Sequence, residues 1–265
     1  MPEGDTITKV ARFLDQALAG QTVTEIVLHP AFGASGGPGQ IERVSALGKH
    51  LYIALEGRRL LRSHLGLYGS WHRYRRGEVW RRPRRQVSIL IRAADWDYVC
   101  FNAKEAEWLV QRGFRDSDQK NRLGRDLICE PFDPVEVRVR ARGLLAPETL
   151  LVDVLLDQRL AAGIGNVYKS ELLFLERIWP LTRLGDLGDD RLLSLYRRAA
   201  ALLAANLGGG ARTTRFQRDR RGHLWVYGRR DRGCLRCRAG SIRRALTGAR
   251  PRSTYWCEHC QPAGG

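Results

Sequence analysis

The first twenty residues carry apolar side chains at the spacing of an amphipathic helix. Pro2 suits the first turn of a helix because it lacks the backbone N–H that the helix leaves unbonded there, and Gly20 is placed to end the helix. Apolar residues recur at intervals of three and four. The stripe consists of Ile7, Val10, Ala11, Leu14 and Leu18. The pattern predicts a helix that begins almost at the N-terminus.

From Val23 to about Phe101 the pattern changes to short runs typical of β-strands, separated by glycine-rich or charged turns. Four such runs cover residues 22–28, 51–55, 60–64 and 87–91. The segment 34–40, ASGGPGQ, is typical of a loop. Together with the first helix, these runs predict a sandwich or barrel-like β domain, to which we assign residues 1–118.

Beyond Pro134 the helical period returns. One apolar stripe begins at Leu151, and a longer one runs from Leu192 to Leu203. We therefore expect an α+β fold with a linker at 119–134, a helical domain at 135–215 and a C-terminal segment at 216–265.

Two cysteine pairs dominate the C-terminal segment. In each pair two residues separate the cysteines, and nineteen residues separate the pairs. Two thiolates at this spacing reach one tetrahedral ion from a tight turn, and a hairpin between the pairs brings all four together. Four thiolates close the coordination shell, which predicts one structural Zn²⁺. The predicted ligands are Cys234, Cys237, Cys257 and Cys260.

Three other interpretations of the cysteines stay open from spacing alone. The pairs could form two disulfides or a redox motif, and His259 could compete as a ligand. Cys100 and Cys129 have no metal-binding spacing and are expected to lie in the core or near the surface. A metal hairpin this small has little apolar core, so metal would hold its fold together.

Charge narrows the class of partner. The 265 residues include 45 Lys and Arg against 28 Asp and Glu, a formal charge of +17, and residues 212–252 contain fourteen arginines and two aspartates. This excess favours a polyanion, with nucleic acid first and a membrane surface second, although basic charge also serves solubility. No apolar run approaches the roughly 18 residues that span a bilayer, and MPEGDTI is unlike a signal peptide. We expect a cytoplasmic protein without a membrane partner.

The N-terminus itself can carry chemistry. A small residue after the initiator methionine normally permits its removal, which would leave Pro2 with a secondary amine. An α-amino group has a pKa of roughly 8, so part of it is unprotonated and nucleophilic at neutral pH. Glu3 beside it can act as a general acid or base. Both residues are also simply favourable in the first turn of a helix.

Five motifs in one order make the chain recognisable. They are MPEGDTI, LGKHLY, SHLGLYGSW, GIGNVYKSELLF and RPRSTYWCEHCQ. The sequence resembles the formamidopyrimidine-DNA glycosylase and endonuclease VIII family, and PEGDT is more similar to the endonuclease VIII branch. The resemblance implies an N-terminal helix with a β-sandwich, a helix-two-turn-helix domain and a zinc β-hairpin, with damaged DNA as the partner and a monomer as the working unit.

The resemblance also implies roles for catalytic residues. Pro2 matches the family's nucleophile and Glu3 its proton donor, while Lys49 matches the lysine needed for strand cleavage. Arg252 matches the zinc-hairpin arginine that contacts phosphate around the damaged nucleotide and stabilises its charge.

Further matches concern DNA binding. Asn166 matches the asparagine that grips the phosphate backbone, Tyr168 follows in the same motif, and Arg122 matches a backbone-contacting arginine. Leu67 and Tyr68 align with residues that fill the gap left by the extruded nucleotide, a task that suits apolar and aromatic side chains because they replace stacking.

Two positions depart from the pattern of the family. Position 66 is Gly where some endonuclease VIII enzymes have a wedge Gln, and position 6 is Thr where many members have a second Glu. Gap filling would then rest on Leu67 and Tyr68. Asp5 is adjacent to Thr6 but is expected to face differently on the helix.

The implied activity is that of a bifunctional DNA glycosylase and apurinic/apyrimidinic lyase, which excises oxidised pyrimidines through a proline Schiff base with β,δ-elimination. One alternative is a preference for oxidised purines such as 8-oxoguanine. The other is a zinc-containing DNA-binding protein without catalysis, for which the basic C-terminus and the helical domain would suffice.

Overall fold

The computed structural model describes residues 1–110, 123–129, 133–217 and 219–263, and the chain divides into two compact units, residues 1–121 and 122–265. Helices and antiparallel sheets occupy separate parts of the chain, which confirms the α+β class. Much of the expected linker at 119–134 lies outside the described residues, as does Arg122. No helix in these described ranges is long and apolar enough to cross a membrane.

The first unit opens with the predicted helix, α1 (Gly4–Leu18). Its apolar stripe packs into the core, and Leu14 and Leu18 are fully buried. Burial of each such leucine contributes roughly 1.5–3 kcal/mol. The helix ends as predicted, because Gly20 takes a φ of +79° and its N–H donates to the carbonyl of Ile41.

Two antiparallel sheets enclose this core. Their strands are β1 (Thr22–Val23), β2 (Glu25–Leu28), β3 (Gly39–Leu47), β4 (His50–Leu55), β5 (Arg59–His64), β6 (Ser70–Arg75), β7 (Val87–Ala93), β8 (Trp96–Phe101) and β9 (Glu105–Val110). One sheet has the strand order β1-β3-β4-β5-β9 and the other has the order β2-β7-β8-β6. A β-sandwich opened by a helix is therefore confirmed.

The structure corrects two details of the β region. The run expected at 22–28 is two strands, because β1 pairs with β3 in one sheet while β2 pairs with β7 in the other. The expected loop at 34–40 is partly strand, since Gly39 opens β3 and Gly36 exchanges backbone hydrogen bonds with Ile26. A Cβ at Gly36 would lie 2.5 Å from the Trp108 ring, so only glycine fits this close approach.

The second unit is mainly helical. Its helices are α2 (Pro134–Leu144), α3 (Leu151–Leu156), α4 (Asn166–Leu175) and α5 (Asp189–Ala205). Both apolar stripes noted in the sequence face one core, which includes Leu151, Val154, Leu195 and Tyr196. Two short strands, β10 (Arg125–Asp126) and β11 (Ala161–Ala162), pair in parallel beside it.

A hairpin of β12 (Ile242–Thr247) and β13 (Arg252–Cys257) ends the described chain. Strand β13 packs on helix α4. The apolar cluster beneath the hairpin is small, with five buried members. They are Phe174, Val226, Cys234, Ile242 and Cys257. Two of the five are cysteines of the expected metal site, so the hairpin depends on them for its core.

Candidate functional site

Pro2 and Glu3 lie at the head of helix α1. Glu3 occupies the position before the helix, and its carbonyl accepts the N–H groups of Thr6 and Ile7 at 2.9 and 3.0 Å. The side chain of Glu3 is fully buried and makes no capping bond to the helix. A carboxyl group is thus held inside the protein, one residue from Pro2 and at the positive end of a helix.

Thr6, which stands where many members of the family have a second Glu, contacts its neighbour Asp5. The hydroxyl of Thr6 donates to Oδ1 of Asp5 at 3.3 Å, and Asp5 is fully buried. Thr6 is half-buried. The hydroxyl at position 6 is therefore directed toward a neighbouring carboxylate on the same turn.

Lys49 lies at the tip of a tight hairpin. Leu47 of β3 pairs with His50 of β4, which leaves Gly48 and Lys49 as a two-residue turn. A positive φ at the first turn residue matches a type II′ hairpin, and Gly48 supplies it with a φ of +58°. The turn places the lysine at the end of a well-paired sheet, which restricts where its amine can go.

Two histidines and an arginine follow Lys49 on neighbouring strands. His50 pairs with His64 across β4 and β5, and their ring centroids are 5.0 Å apart. Nη1 of the buried Arg62 is 3.0 Å from Nδ1 of His50. Burial, followed by the nearby charges of His64 and Arg62, lowers the pKa of His50 to about 4. The imidazole of His50 is therefore neutral at physiological pH and accepts from the guanidinium.

The loop that joins β5 to β6 exposes two large apolar side chains. Leu67 is 55% exposed and Tyr68 is 76% exposed. The loop is closed by a 3.0 Å bond from the N–H of Gly69 to the carbonyl of Leu65. A turn that presents a leucine and a tyrosine to solvent indicates a contact surface.

Helix α4 begins at Asn166 and its side chain is held at both ends. Nδ2 of Asn166 donates to the carbonyl of Ser253 at 2.8 Å, and Nζ of Lys169 donates to Oδ1 of Asn166 at 2.7 Å. Lys169 is fully buried and also donates to Thr254 at 2.7 Å. These bonds join the start of α4 to strand β13 through buried polar groups.

Tyr168 lies inside the second unit. Its side chain is fully buried in the core, with the Arg212 guanidinium 5.0 Å from its ring centroid, and its contact with DNA stays a prediction. Tyr168 lies two positions after Asn166, which turns it to another face of α4. Its side chain supports the helix from within.

Arg252 is the first residue of β13 and is exposed beside the tip of the hairpin. The tip is anchored to helix α3, because the N–H of Ala249 donates to Oδ2 of Asp153 at 3.0 Å. Gly248 before it has a φ of +92°, a conformation that favours glycine. The anchor fixes the end of the hairpin from which Arg252 projects.

Glu171 on α4 organises the segment that precedes the hairpin. Its carboxylate accepts the N–H groups of Trp225, Val226 and Tyr227 at 2.8–2.9 Å, and it also bonds the hydroxyl of Thr214. Burial raises the pKa of Glu171, while these hydrogen bonds oppose the rise. One fully buried side chain thus satisfies three consecutive backbone donors.

The four expected cysteine ligands converge. Their sulfur atoms all lie within 4.8 Å of one another, with 3.8 Å between Cys234 and Cys260 and 3.7 Å between Cys237 and Cys257. A disulfide needs about 2.05 Å, so these distances exclude that interpretation. Tetrahedral coordination with sulfur at about 2.3 Å from the metal places the sulfurs about 3.8 Å apart. The cluster therefore fits a metal ion held by four thiolates.

Comparisons with known proteins agree with this architecture. The formamidopyrimidine-DNA glycosylase N-terminal domain matches residues 1–109, and the formamidopyrimidine-DNA glycosylase H2TH domain matches residues 123–218. The chain is 38% identical to "Probable endonuclease 8 2" of Streptomyces coelicolor, over 98% of this chain and 94% of that protein. The chain belongs to the formamidopyrimidine-DNA glycosylase and endonuclease VIII family.

Other relatives place it within the family. It is 36% identical to "DNA-(apurinic or apyrimidinic site) lyase Nei2" of Mycolicibacterium smegmatis, over 99% of this chain and all of that protein. The expected endonuclease VIII branch is thereby confirmed. The formamidopyrimidine-DNA glycosylase of Lactococcus lactis, solved bound to DNA with an abasic site, shares the fold with a TM-score of 0.81, 22% identity and coverage of 98% and 100% of the two chains.

The local structure explains why position 66 is glycine here and not the wedge Gln of some endonuclease VIII enzymes. Gly66 has a φ of +63°, and a Cβ at this position would lie 2.9 Å from Cβ of Lys104. A glutamine would be strained in this backbone and crowded by the lysine. The loop of this family member is therefore built for glycine at position 66.

Sequence reasoning missed the polar residues that hold these elements together. Lys169 and Glu171 stand three and five positions after Asn166 in the recognised motif, and Asp153 stands on α3. All three are polar residues in the sequence, but their hydrogen-bond partners lie more than fifty positions further along the chain. Sequence alone does not reveal these partners. A signal was present for Lys169, since the chain has only five lysines.

Proposed function

We propose that the chain is a bifunctional DNA glycosylase and apurinic/apyrimidinic lyase that excises oxidised pyrimidines. The observation that carries the proposal is the pairing of Pro2 with the fully buried Glu3 at the head of α1, in a chain of this family. Relatives named endonuclease 8 support the choice of pyrimidines, as does the PEGDT start.

The first half of the reaction breaks the bond between base and sugar. Removal of Met1 gives Pro2 a secondary amine, whose lone pair attacks C1′ of the damaged nucleotide. Glu3 gives its proton to the ring oxygen of the sugar as the ring opens. The damaged base departs with the electrons of the glycosidic bond and takes up the proton that the Pro2 amine loses. A covalent iminium then joins Pro2 to the opened sugar.

The second half cleaves the strand. The iminium acidifies the proton on C2′; its loss forms a double bond as the 3′ phosphate leaves, and a further δ-elimination expels the 5′ phosphate. We assign to Lys49 and Arg252 the stabilisation of phosphate charge in these steps. Asn166 would contact the DNA backbone, and Leu67 with Tyr68 would fill the gap in the duplex.

The four cysteines would hold one Zn²⁺ with a structural role. Thiolate donors in a closed tetrahedron are typical of zinc and leave no position for substrate. The ion would stabilise the hairpin that carries Arg252, while the chemistry stays with Pro2 and Glu3.

Borohydride trapping tests the proposal. Wild-type protein mixed with an oligonucleotide bearing one abasic site and then reduced should give a covalent adduct. Pro2→Gly should abolish this adduct. Glu3→Gln should keep adduct formation at an abasic site but lose excision of an oxidised base, because only that step needs the proton. Exposed Glu42→Gln, elsewhere in the first unit, serves as the matched control and should behave as wild type.

Two outcomes would overturn parts of the proposal. If metal-loaded protein without Met1 binds DNA but gives no adduct, the chain is a DNA-binding protein without this chemistry. If the adduct forms but 8-oxoguanine is excised faster than thymine glycol, the substrate is the oxidised purine.

A further inference from the structure

The connection between β6 and β7, residues 76–86, is a second concentration of positive charge. This segment, here named the arginine loop, holds five arginines and one glutamate in eleven residues. The arginines are Arg76, Arg81, Arg82, Arg84 and Arg85. Four of them are exposed and Arg82 is half-buried. The loop belongs to the first unit and is distant in sequence from the basic C-terminal segment.

The arginine loop is fixed to the sheet beneath it. Trp80 packs on a small apolar cluster, with ring centroids 6.1 Å from Tyr74 and 6.2 Å from Phe101. The N–H of Arg81 donates to the Tyr74 hydroxyl at 3.3 Å, and the N–H of Arg76 donates to the carbonyl of Asp95 at 2.7 Å. A solvated run of charge needs no such anchor, so the arrangement indicates a surface held in place.

The positive charge of the arginine loop is not neutralised within the described ranges. None of its five guanidinium groups lies within 4.0 Å of a carboxylate there. Glu78 is directed elsewhere, since its Oε2 accepts the N–H of Arg75 at 2.8 Å. The Arg84 guanidinium stacks 5.1 Å from the Trp80 ring centroid, which holds its fork in one orientation.

A groove of about 680 Å³ borders the loop and is lined in part by Arg76 and Arg84. Its acidic members are already occupied by an arginine of the sheet. Nη1 of Arg92 lies 2.5 Å from Oε2 of Glu25, and its Nε lies 3.7 Å from Oδ1 of Asp97. These carboxylates therefore do not cancel the charge of the loop.

The position of the loop relative to Tyr68 suggests its occupant. Strand β6 runs from the loop that exposes Leu67 and Tyr68 to the arginine loop. Six residues at about 3.3 Å each span roughly 20 Å. Duplex DNA rises about 3.4 Å per base pair, so the length of β6 equals the rise of roughly six base pairs. Guanidinium forks match phosphate oxygens bidentately.

We infer that the arginine loop is a second contact for the sugar–phosphate backbone of the DNA, about six base pairs from the damaged nucleotide. The inference rests on the proposed function for its occupant. The loop adds affinity and salt dependence on long substrates and takes no part in catalysis.

Binding to duplexes of two lengths tests the inference. Each duplex has a central tetrahydrofuran abasic analogue, with four base pairs on each side in the short one and twelve in the long one. The test variant is Arg76→Gln/Arg81→Gln/Arg85→Gln. The control removes three exposed arginines elsewhere in the first unit, as Arg12→Gln/Arg43→Gln/Arg58→Gln. Equal melting temperatures for both variants establish that they are folded.

The readout is the slope of log K against log salt concentration. Each lost phosphate contact reduces its magnitude by about 0.9. The test variant should lose about 2 to 3 on the long duplex and keep the wild-type slope on the short one. The control should keep a larger slope than the test variant on the long duplex. Equal losses for the two variants, or an equal loss for the test variant at both lengths, would overturn the inference.

Two further readouts separate the inference from its alternatives. If the test variant keeps the wild-type DNA slope but loses binding to polyglutamate that the control retains, the surface fits an acidic protein and the inference is wrong. Borohydride trapping of wild type on an abasic-site duplex of the short length reports the proposed function alone. Absence of that adduct, with the length-dependent slope preserved, would overturn the lyase and keep the arginine loop.

Discussion

The head of α1 and the C-terminal hairpin both carry residues to which we assign roles in DNA chemistry, but the two regions are held in place in different ways. Around Pro2 and Glu3, one helix and two sheets enclose an apolar core whose members include Leu14, Leu18 and Leu55. The hairpin that carries Arg252 packs on a cluster with only five buried members among the described residues, and it depends on four cysteines and on buried polar groups. Apolar packing is distributed over many contacts, whereas a metal site or a buried carboxylate concentrates stability in a few atoms.

Removal of the metal gives the largest expected effect. Cys237→Ser, or chelation of the metal, should unfold the hairpin, because structural zinc sites in small peptides contribute about 10–16 kcal/mol of apparent binding free energy. The first unit should stay folded. Limited proteolysis followed by peptide mapping should show cuts beyond about residue 212 and protection of the first hundred residues. Cys129→Ser, outside the cluster, should leave the cleavage pattern unchanged.

Replacement of Glu171 tests whether buried polar groups stabilise the second unit around the hairpin. Glu171→Ala leaves the N–H groups of Trp225, Val226 and Tyr227 without their acceptor. Each unsatisfied buried donor costs about 1–3 kcal/mol, so for three donors we expect a loss of at least about 3 kcal/mol, measured by chemical unfolding of the second unit. A loss below 1 kcal/mol would show that the carboxylate does not hold this segment. Glu148→Gln, at an exposed position of the second unit, is the control.

A cavity in the apolar core tests the other half. Leu55 is fully buried on β4, the strand that follows Lys49. Leu55→Ala should cost about 2–5 kcal/mol in the unfolding of the first unit and leave metal binding to the hairpin unchanged. Leu246→Ala, at a position 64% exposed, should cost far less. If Leu55→Ala abolished metal binding by the hairpin, the stability of the two regions would not be independent, which would contradict the comparison.

A smaller effect concerns pH. The pKa of His50 falls from its ordinary value of 6.5 to about 4 in the folded protein, chiefly through burial. The unfolded chain binds this proton first as pH falls, so the stability from His50 is full above pH 6.5 and is lost toward pH 4. It amounts to at most about 3 kcal/mol. His50→Gln should reduce the acid sensitivity of unfolding between these values.

The sequence predicted the features that depend on a local pattern of residues. It did not predict the features that depend on partners distant in the chain. The apolar period of α1 and the two apolar stripes of the second unit are local helical patterns, and the structure confirms these helices. The spacing of the cysteines is also a local pattern, and the four sulfur atoms converge as predicted. The division of residues 22–28 between two sheets depends on the partners β3 and β7, which no local pattern reveals.

The candidate site follows the same division. Resemblance selected Pro2, Glu3 and Lys49 by motif, and their roles are predictions that the proposed variants test. The burial of Tyr168 depends on the angle that α4 presents to its core, which residue type does not determine. The arginine loop does not stand out in the sequence, because the fourteen arginines in residues 212–252 account for most of the excess positive charge.

Mapping of the trapped sugar tests the central claim most directly. The borohydride-reduced adduct is digested with a protease and a nuclease, and mass spectrometry locates the added deoxyribose fragment. The account predicts the fragment on the N-terminal peptide, at the nitrogen of Pro2, in protein that has lost Met1. A fragment on Lys49 or another lysine, with the Pro2 amine unmodified, would contradict the account.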